Sequence, residues 1–311
     1  MPVNPFEGMA CSAAAATDVP LPGTATSVAG WLCVEHPGPW GRDVLGDEVL
    51  GPEITAELAA RTAAAHVRPT LIRRPGRREF TGSRTVLLAS SRPSGAWCER
   101  LEITDPTQLL DLDMQLLNGP PPGIGVPVSD PLVLVCVHGK RDRCCALLGR
   151  PIAADLAGKY PGQVWECSHT GGHRFAPALV LLPSGLTYGR LDPVSAAEVV
   201  AAAHRGTVAT AGLRGRSCYT AVEQVAEIAV RDRGVADADD LMVELEPSCS
   251  EVPVVGAAIV THRDGRRWRV TVRSRSLAPR QASCHAAPKE VTALIVDEVQ
   301  LLTRNIEALA P

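Results

Sequence analysis

The sequence predicts an α/β fold of two tandem units, each of order β-α-β-β-β-α, with a helix and a β-hairpin appended at the C-terminal end. Three observations predict it. Apolar, strand-like runs alternate with helix-like stretches up to about residue 215. The same order of elements occurs on both sides of a Pro/Gly-rich break, NGPPPGIGVP, at Asn118–Pro127. Finally, each copy opens with a similar segment, WLCVEHPGPWGRD at Trp31–Asp43 and VLVCVHGKRD at Val133–Asp142.

Composition narrows the function before any motif is considered. A chain of 311 residues with 45% hydrophobic content can bury one large core or two ordinary ones. Its 31 Lys and Arg against 34 Asp and Glu leave a net charge of −3, so no global field favours nucleic acid or an acidic membrane surface. There is no run of about 18 apolar residues, and the first residues lack a basic segment ahead of an apolar one. A soluble, cytoplasmic protein is expected. Ten cysteines are far below the density of a secreted disulfide scaffold and are expected as thiols or metal ligands.

Taken in order, residues 1–26 are rich in Ala, Pro, Gly, Ser and Thr and are expected to form a flexible arm of little functional weight. The first unit, 27–120, starts with the strand GWLCVEH and a turn-rich segment. EITAELAARTAAAH at Glu53–His66 follows, with Ile54, Leu58, Ala59 and Ala65 on one helical face. Strands are expected from Pro69, Arg84 and Ala96, and Asp105-Pro106 reads as the cap and first turn of a helix through TQLLDLDMQLL. The second unit, 128–215, repeats this with LVLVCV, a polar loop, a helix opened by Pro151, the strand GQVWECS, a His/Gly loop, the hairpin ALVLLPSGLTYGRL and a helix begun by Asp192-Pro193. Two copies of a thioredoxin-like unit account for this repetition. Residues 216–311 form the extension, with a helix in YTAVEQVAEIAVRDRG and a hairpin turning at Asp264-Gly265. One hairpin face carries Trp268, Val270 and Val272; the other carries Arg267, Arg269 and Arg273, a possible docking surface for an acidic redox partner.

The chemistry concentrates between Leu132 and His173. This stretch holds Cys136, Cys144, Cys145 and Cys167 with His138, His169 and His173. Soft sulfur and borderline imidazole donors so close together point to a metal or a reactive thiol. His169-Thr170-Gly171-Gly172-His173 is too glycine-rich for a helix, and its glycines let both rings turn to one point. Two cysteines from the preceding loop would complete a Cys2His2 set, which suits a structural zinc or a [2Fe–2S] cluster with imidazoles on one iron. The spacing matches neither a zinc finger nor the full Rieske pattern, since Cys136-Val137-His138 has no C-x-x-H counterpart. Residue chemistry alone leaves both occupants open. In the first unit Cys33 and His36 lack a second pair, so that half is expected to be structural, with Trp40, Gly41, Arg42 and Asp43 as a lip over the site.

VCVHGKRDRCCALLGRP followed by VWECSHTGGHRFAPALVLLPSGLTYGRL resembles the sucrase/ferredoxin-like family, whose members include thioredoxin-like ferredoxins. The resemblance spans about 30–215 and is most specific in H-x-G-G-H-R-F-A-P. It implies that a C-x8-C pair and an H-x3-H pair, here Cys136 with Cys145 and His169 with His173, hold a [2Fe–2S] cluster. Cys144 is the alternate ligand or redox thiol of the vicinal pair. Imidazole ligation implies a higher potential than an all-cysteine centre and proton-coupled electron transfer between a redox donor and acceptor. His138, Lys140, Arg141, Asp142, Gly171, Gly172 and Arg174 are expected to surround the ligands and tune them. Cys167 is expected in the core, and Cys11, Cys98, Cys218, Cys249 and Cys284 receive no role. The sequence carries no glycosidase signature of paired carboxylates. A thiol–disulfide or peroxide-linked oxidoreductase using Cys144 and Cys145, or a zinc-stabilised interaction domain, are the alternatives to a non-enzymatic electron carrier.

Overall fold

The structure, a computed structural model, describes residues 5–76, 82–247, 254–284 and 286–302. It begins with a short helix, α1 (Cys11–Ala16). The expectation of a flexible arm is therefore corrected over its described part. Cys11, Ala15 and Val19 are buried, and Arg190 donates to the Ala15 and Val19 carbonyls at 2.7 and 2.9 Å. The small side chains that suggested disorder are what let α1 lie close against the turn at His173–Phe175, where Ala15, Val19, Phe175 and Val291 form a small cluster of their own.

The first half comprises β1 (Gly30–Glu35), the short α2 (Asp47–Leu50), α3 (Pro52–Ala64), β2 (Val67–Arg73), β3 (Arg84–Ser90) and β4 (Trp97–Ile103). Pro52 stands at the first position of α3, where a missing N–H costs nothing. Leu58 and Ala65 face the core as the periodicity predicts, but Ala59 is exposed and Thr55 and Thr62 take buried positions instead. Asp105 and Pro106 do open a helical segment, with a capping box to Gln108. It is a pair of 3₁₀ turns, Pro106–Asp111 and Met114–Asn118, rather than one α-helix. Asp113 interrupts it, because its carboxylate accepts the Gln115 N–H at 2.9 Å and starts a new turn.

After β5 (Val126–Pro127), an edge strand in the Pro/Gly-rich break, the second half repeats the plan: β6 (Leu132–Cys136), α4 (Arg143–Lys159), β7 (Val164–Cys167), β8 (Ala178–Leu182), β9 (Leu186–Gly189), α5 (Pro193–His204) and β10 (Leu213–Arg216). Here α4 starts well ahead of Pro151, which corrects the expected helix start. Asp142 caps it by accepting the Cys144 N–H at 2.9 Å. Inside the helix, the Pro151 ring forfeits only the bond to the carbonyl of Leu147, a residue on the exposed side.

In each half the first strand pairs in parallel with the second and antiparallel with the third, which in turn pairs antiparallel with the fourth. The halves share one ten-stranded sheet because β2 and β7 pair antiparallel, Ile72 opposite Cys167 and Arg73 opposite Glu166. An ion pair at 2.8 Å between Arg73 and Glu166 reinforces the seam. Only the last residues of each strand pair, so the carboxyl ends of both parallel pairs meet at the middle of the sheet. Strand alternation sends Leu32, Val34, Val133 and Val135 into the helix-covered core, and Trp31, Cys33, Leu134 and Cys136 to the opposite face.

The extension is larger than a helix and a hairpin. α6 (Ala221–Arg231) packs on an antiparallel sheet of β11 (Leu241–Leu245), β12 (Val254–His262), β13 (Arg267–Gln281) and β14 (Pro288–Leu302), in that order. The expected hairpin is β12–β13, with Trp268, Val270 and Val272 buried. β14 escaped the sequence reading because a bulge at Asp297 shifts its register and breaks the alternation of apolar residues. Arg269 pairs with Glu246 at 2.8 Å and Arg273 with Asp297 at 3.1 Å, while Arg267 is exposed.

Candidate metal centre

Cys136 is the last residue of β6, directly opposite Cys167 of β7. α4 runs back over this strand end, and Gly149 is what lets it approach. A Cβ there would lie 2.3 Å from the Cys136 carbonyl oxygen. The first turn of α4 is thereby held against β6, and the Cys145 thiol comes within hydrogen-bond reach of the Cys136 sulfur. A His169 ring nitrogen is also within hydrogen-bond reach of that sulfur. His173 stacks on His169 with ring centroids 4.8 Å apart. This arrangement needs the intervening glycines, since Gly171 and Gly172 have φ of +97° and +71° and a Cβ on Gly172 would meet the Arg214 guanidinium at 2.2 Å.

The electrostatics favour one thiolate in this group. The Cys145 thiol, His169 and the His138 backbone N–H pull the Cys136 thiol well below its usual range against the opposing effect of burial. Cys145 is pushed up, first by sharing its proton with Cys136 and then by burial. Burial and the neighbouring His169 keep His173 neutral to lower pH than a free imidazole. Its Nδ1 is buried without a hydrogen-bond partner. An unpartnered ring nitrogen beside the stacked His169 suits a metal ligand, but among the described residues the donor atoms that lie within 4.8 Å of one another are those of Cys11, Asp142, Cys144 and Cys284, not those of Cys136, Cys145, His169 and His173.

The surrounding residues have distinct tasks. His138 accepts the His169 N–H at Nδ1 (3.2 Å) and therefore donates from Nε2 to the Gly41 carbonyl (2.7 Å). Both nitrogens are used, and Trp40 meets the ring edge-on at 5.9 Å. Arg141 pairs with Asp43 at 3.3 Å, so the lip from the first half lies where the repeat placed it. Arg68 donates to the His169 carbonyl at 2.8 Å and Arg214 to the Gly171 carbonyl at 3.3 Å, pinning the start and the middle of the loop. The Arg174 guanidinium stands 4.8 Å from the Phe175 ring centroid, and Lys140 is exposed. Cys167 is fully buried, with its thiol pushed up by burial.

Asp142 departs from its expected place as a loop charge near the ligands. It belongs to a second group, with Cys144 and with Cys11 and Cys284, two cysteines that had no assigned role. Cys144 Sγ lies 3.3 Å from Cys284 Sγ and 3.7 Å from Cys11 Sγ, and Cys11 and Cys284 are 3.6 Å apart. The vicinal pair is thus split, Cys145 toward Cys136 and Cys144 toward Cys11 and Cys284. No local sequence signal could have found the second group, because Cys11 and Cys284 are 273 residues apart and each is the only cysteine of its segment. Cys33 and Cys98 are buried in strands, Cys218 is half-buried, and Cys249 lies outside the described residues.

A family profile described as sucrase/ferredoxin-like matches residues 21–215. The chain belongs to the sucrase/ferredoxin-like family. The matched region contains the two parallel strand pairs with Cys136, Cys145, His169, His173, Asp142 and Cys144, and leaves out Cys11 and Cys284. No curated protein and no solved structure matches the chain. Family and geometry together point to a redox-related role, with a cysteine-rich group able to bind metal. Among the described residues no helix is long and apolar enough to cross a membrane.

Proposed function

We propose that the protein is an electron carrier in which Cys136, Cys145, His169 and His173 hold a [2Fe–2S] cluster. The observation that carries this reading is the series of contacts from Cys145 to Cys136, to His169 and on to His173 beside the end of β6, with His173 Nδ1 buried and unpartnered. When bound, such a cluster supplies a site for one electron. The chain's own residues do the rest. The close approach at Gly149 fixes Cys145 against Cys136, while His138, Arg68 and Arg214 fix the backbone of the histidine loop, so that little has to move when charge changes. His169 and His173 are only half-buried, and a ring nitrogen not engaged as a ligand can take a proton from solvent as the electron arrives. We place an acidic redox partner on the face of Arg267, Arg269 and Arg273, with Arg267 its most exposed charge, and the whole in a reducing cytoplasm that keeps the thiols free.

Iron analysis, visible absorption and EPR on the reduced protein check this directly. The purified chain is expected to be coloured and to hold about two irons. His169→Ala and His173→Ala should lose both iron and colour. Dithiol-dependent reductase activity that survives both substitutions in an iron-free protein would instead establish the thiol enzyme.

A further inference from the structure

We propose that Cys11, Cys144, Cys284 and Asp142 form a second metal site that holds a single zinc ion and clasps three distant segments of the chain beside the redox centre. Cys11 is the first residue of α1, Asp142 and Cys144 cap and open α4, and Cys284 sits in the turn between β13 and β14. Their four donor atoms lie within 4.8 Å of one another, room for one ion and too little for a dinuclear cluster.

The distances match tetrahedral zinc. With Zn–S of about 2.3 Å and Zn–O of about 2.0 Å, a regular tetrahedron puts sulfurs about 3.8 Å apart and sulfur and oxygen about 3.5 Å apart. The three sulfurs here are separated by 3.3, 3.6 and 3.7 Å, and Cys11 Sγ is 3.7 Å from Asp142 Oδ1. The carboxylate is already aimed. The Cys144 N–H donates to Oδ1 at 2.9 Å, and the Cys284 N–H and Ser283 hydroxyl donate to Oδ2 at 2.9 and 3.0 Å. A carboxylate has about four lone-pair sites, so one remains for a cation, on Oδ1.

Donor chemistry selects the metal. Three thiols exclude magnesium and calcium, and the oxygen donor favours zinc over monovalent copper. Four protein donors with no open position mark a structural site rather than a catalytic one. Cys284 is half-exposed and offers the ion a way in.

Zinc content of the full-length chain, read beside iron in the same samples, tests the proposal independently of the iron reading. About one zinc per chain is expected in the wild type. It should be lost in Cys11→Ser and Cys284→Ser with iron unchanged, and retained in Cys136→Ser. Should the serine variants fail to fold, alkylation of the chelator-stripped wild type with and without added zinc replaces them, and zinc should protect Cys11, Cys144 and Cys284 selectively. A zinc-free wild type, zinc that leaves with Cys136 but not with Cys284, a Cys144–Cys284 disulfide, or alkylation unaffected by zinc would each overturn it.

Discussion

His138 has both ring nitrogens committed, Nδ1 to the His169 N–H and Nε2 to the Gly41 carbonyl. It is buried, and so is its bond to the Gly41 carbonyl, while the bond from the His169 N–H is part-buried. His138→Phe leaves the buried Gly41 carbonyl unpaired at about 1–3 kcal/mol, and the part-buried His169 N–H at less. The urea midpoint should fall accordingly, and iron content should fall with it as the His169 backbone loosens. His138→Gln, which can both donate and accept, should recover part of each. Equal stability of the phenylalanine variant and the wild type would show that these bonds contribute nothing. At this scale the sequence was informative wherever donors were close along the chain. His169 and His173 could be read as a converging pair because glycines separate them, and His138 could be read as a loop histidine. Which way each sulfur of Cys144-Cys145 turns depends on helix phase, and that depends on where α4 begins.

α4 shows why an element boundary matters to chemistry. With its start at Pro151, both cysteines would have been in a loop; with Asp142 as its cap, consecutive residues of the first turn diverge around the helix axis and serve two different groups. The signal was the Asp142 cap itself, overshadowed by a proline that also suits a helix start. Gly149 and Gly158 lie on this one helix and separate packing from propensity. Gly149→Ala sets a methyl 2.3 Å from the Cys136 carbonyl oxygen, backbone that cannot yield, so α4 must shift. A loss of roughly 1–3 kcal/mol is expected, with lower iron content as Cys145 is carried away from Cys136. Gly158→Ala has nothing within 4 Å and should stabilise by up to about 1 kcal/mol through helix propensity alone. Thermal melts and iron analysis of the two variants check the contrast, and iron retained at the wild-type level in Gly149→Ala would count against the role given to the close approach.

Over the whole molecule, the duplication explains the position of the centre. Antiparallel pairing of the ends of β2 and β7 brings the loop after β1 to the loop after β6, so a half without ligands still supplies the Gly41 carbonyl and Asp43. That duplication was readable from repeated segments and alternating elements, whereas the packing of α1 and of the β13–β14 turn was not, because contacts across 133 and 140 residues leave no periodic trace. The same meeting of loops buries His138, and His36 is half-buried within reach of the Arg84 guanidinium, its Nδ1 3.2 Å away. Burial lowers the pKa of both, with Arg84 and Arg73 lowering His36 further. The folded values thus lie below the ordinary 6.5 of an unfolded histidine, and at mildly acidic pH the unfolded chain binds more protons than the folded one. The stability these rings contribute is complete above the unfolded value and is lost as pH falls through the folded ones. Between about pH 7.5 and 5.5 ordinary carboxylates stay ionised, so carboxylate titration does not obscure the histidines, to which the lowered His173 also contributes. The urea midpoint should drop across it, and His36→Asn should flatten part of the drop; a wild-type midpoint constant over the window would mean that the two imidazoles are not held neutral by the fold.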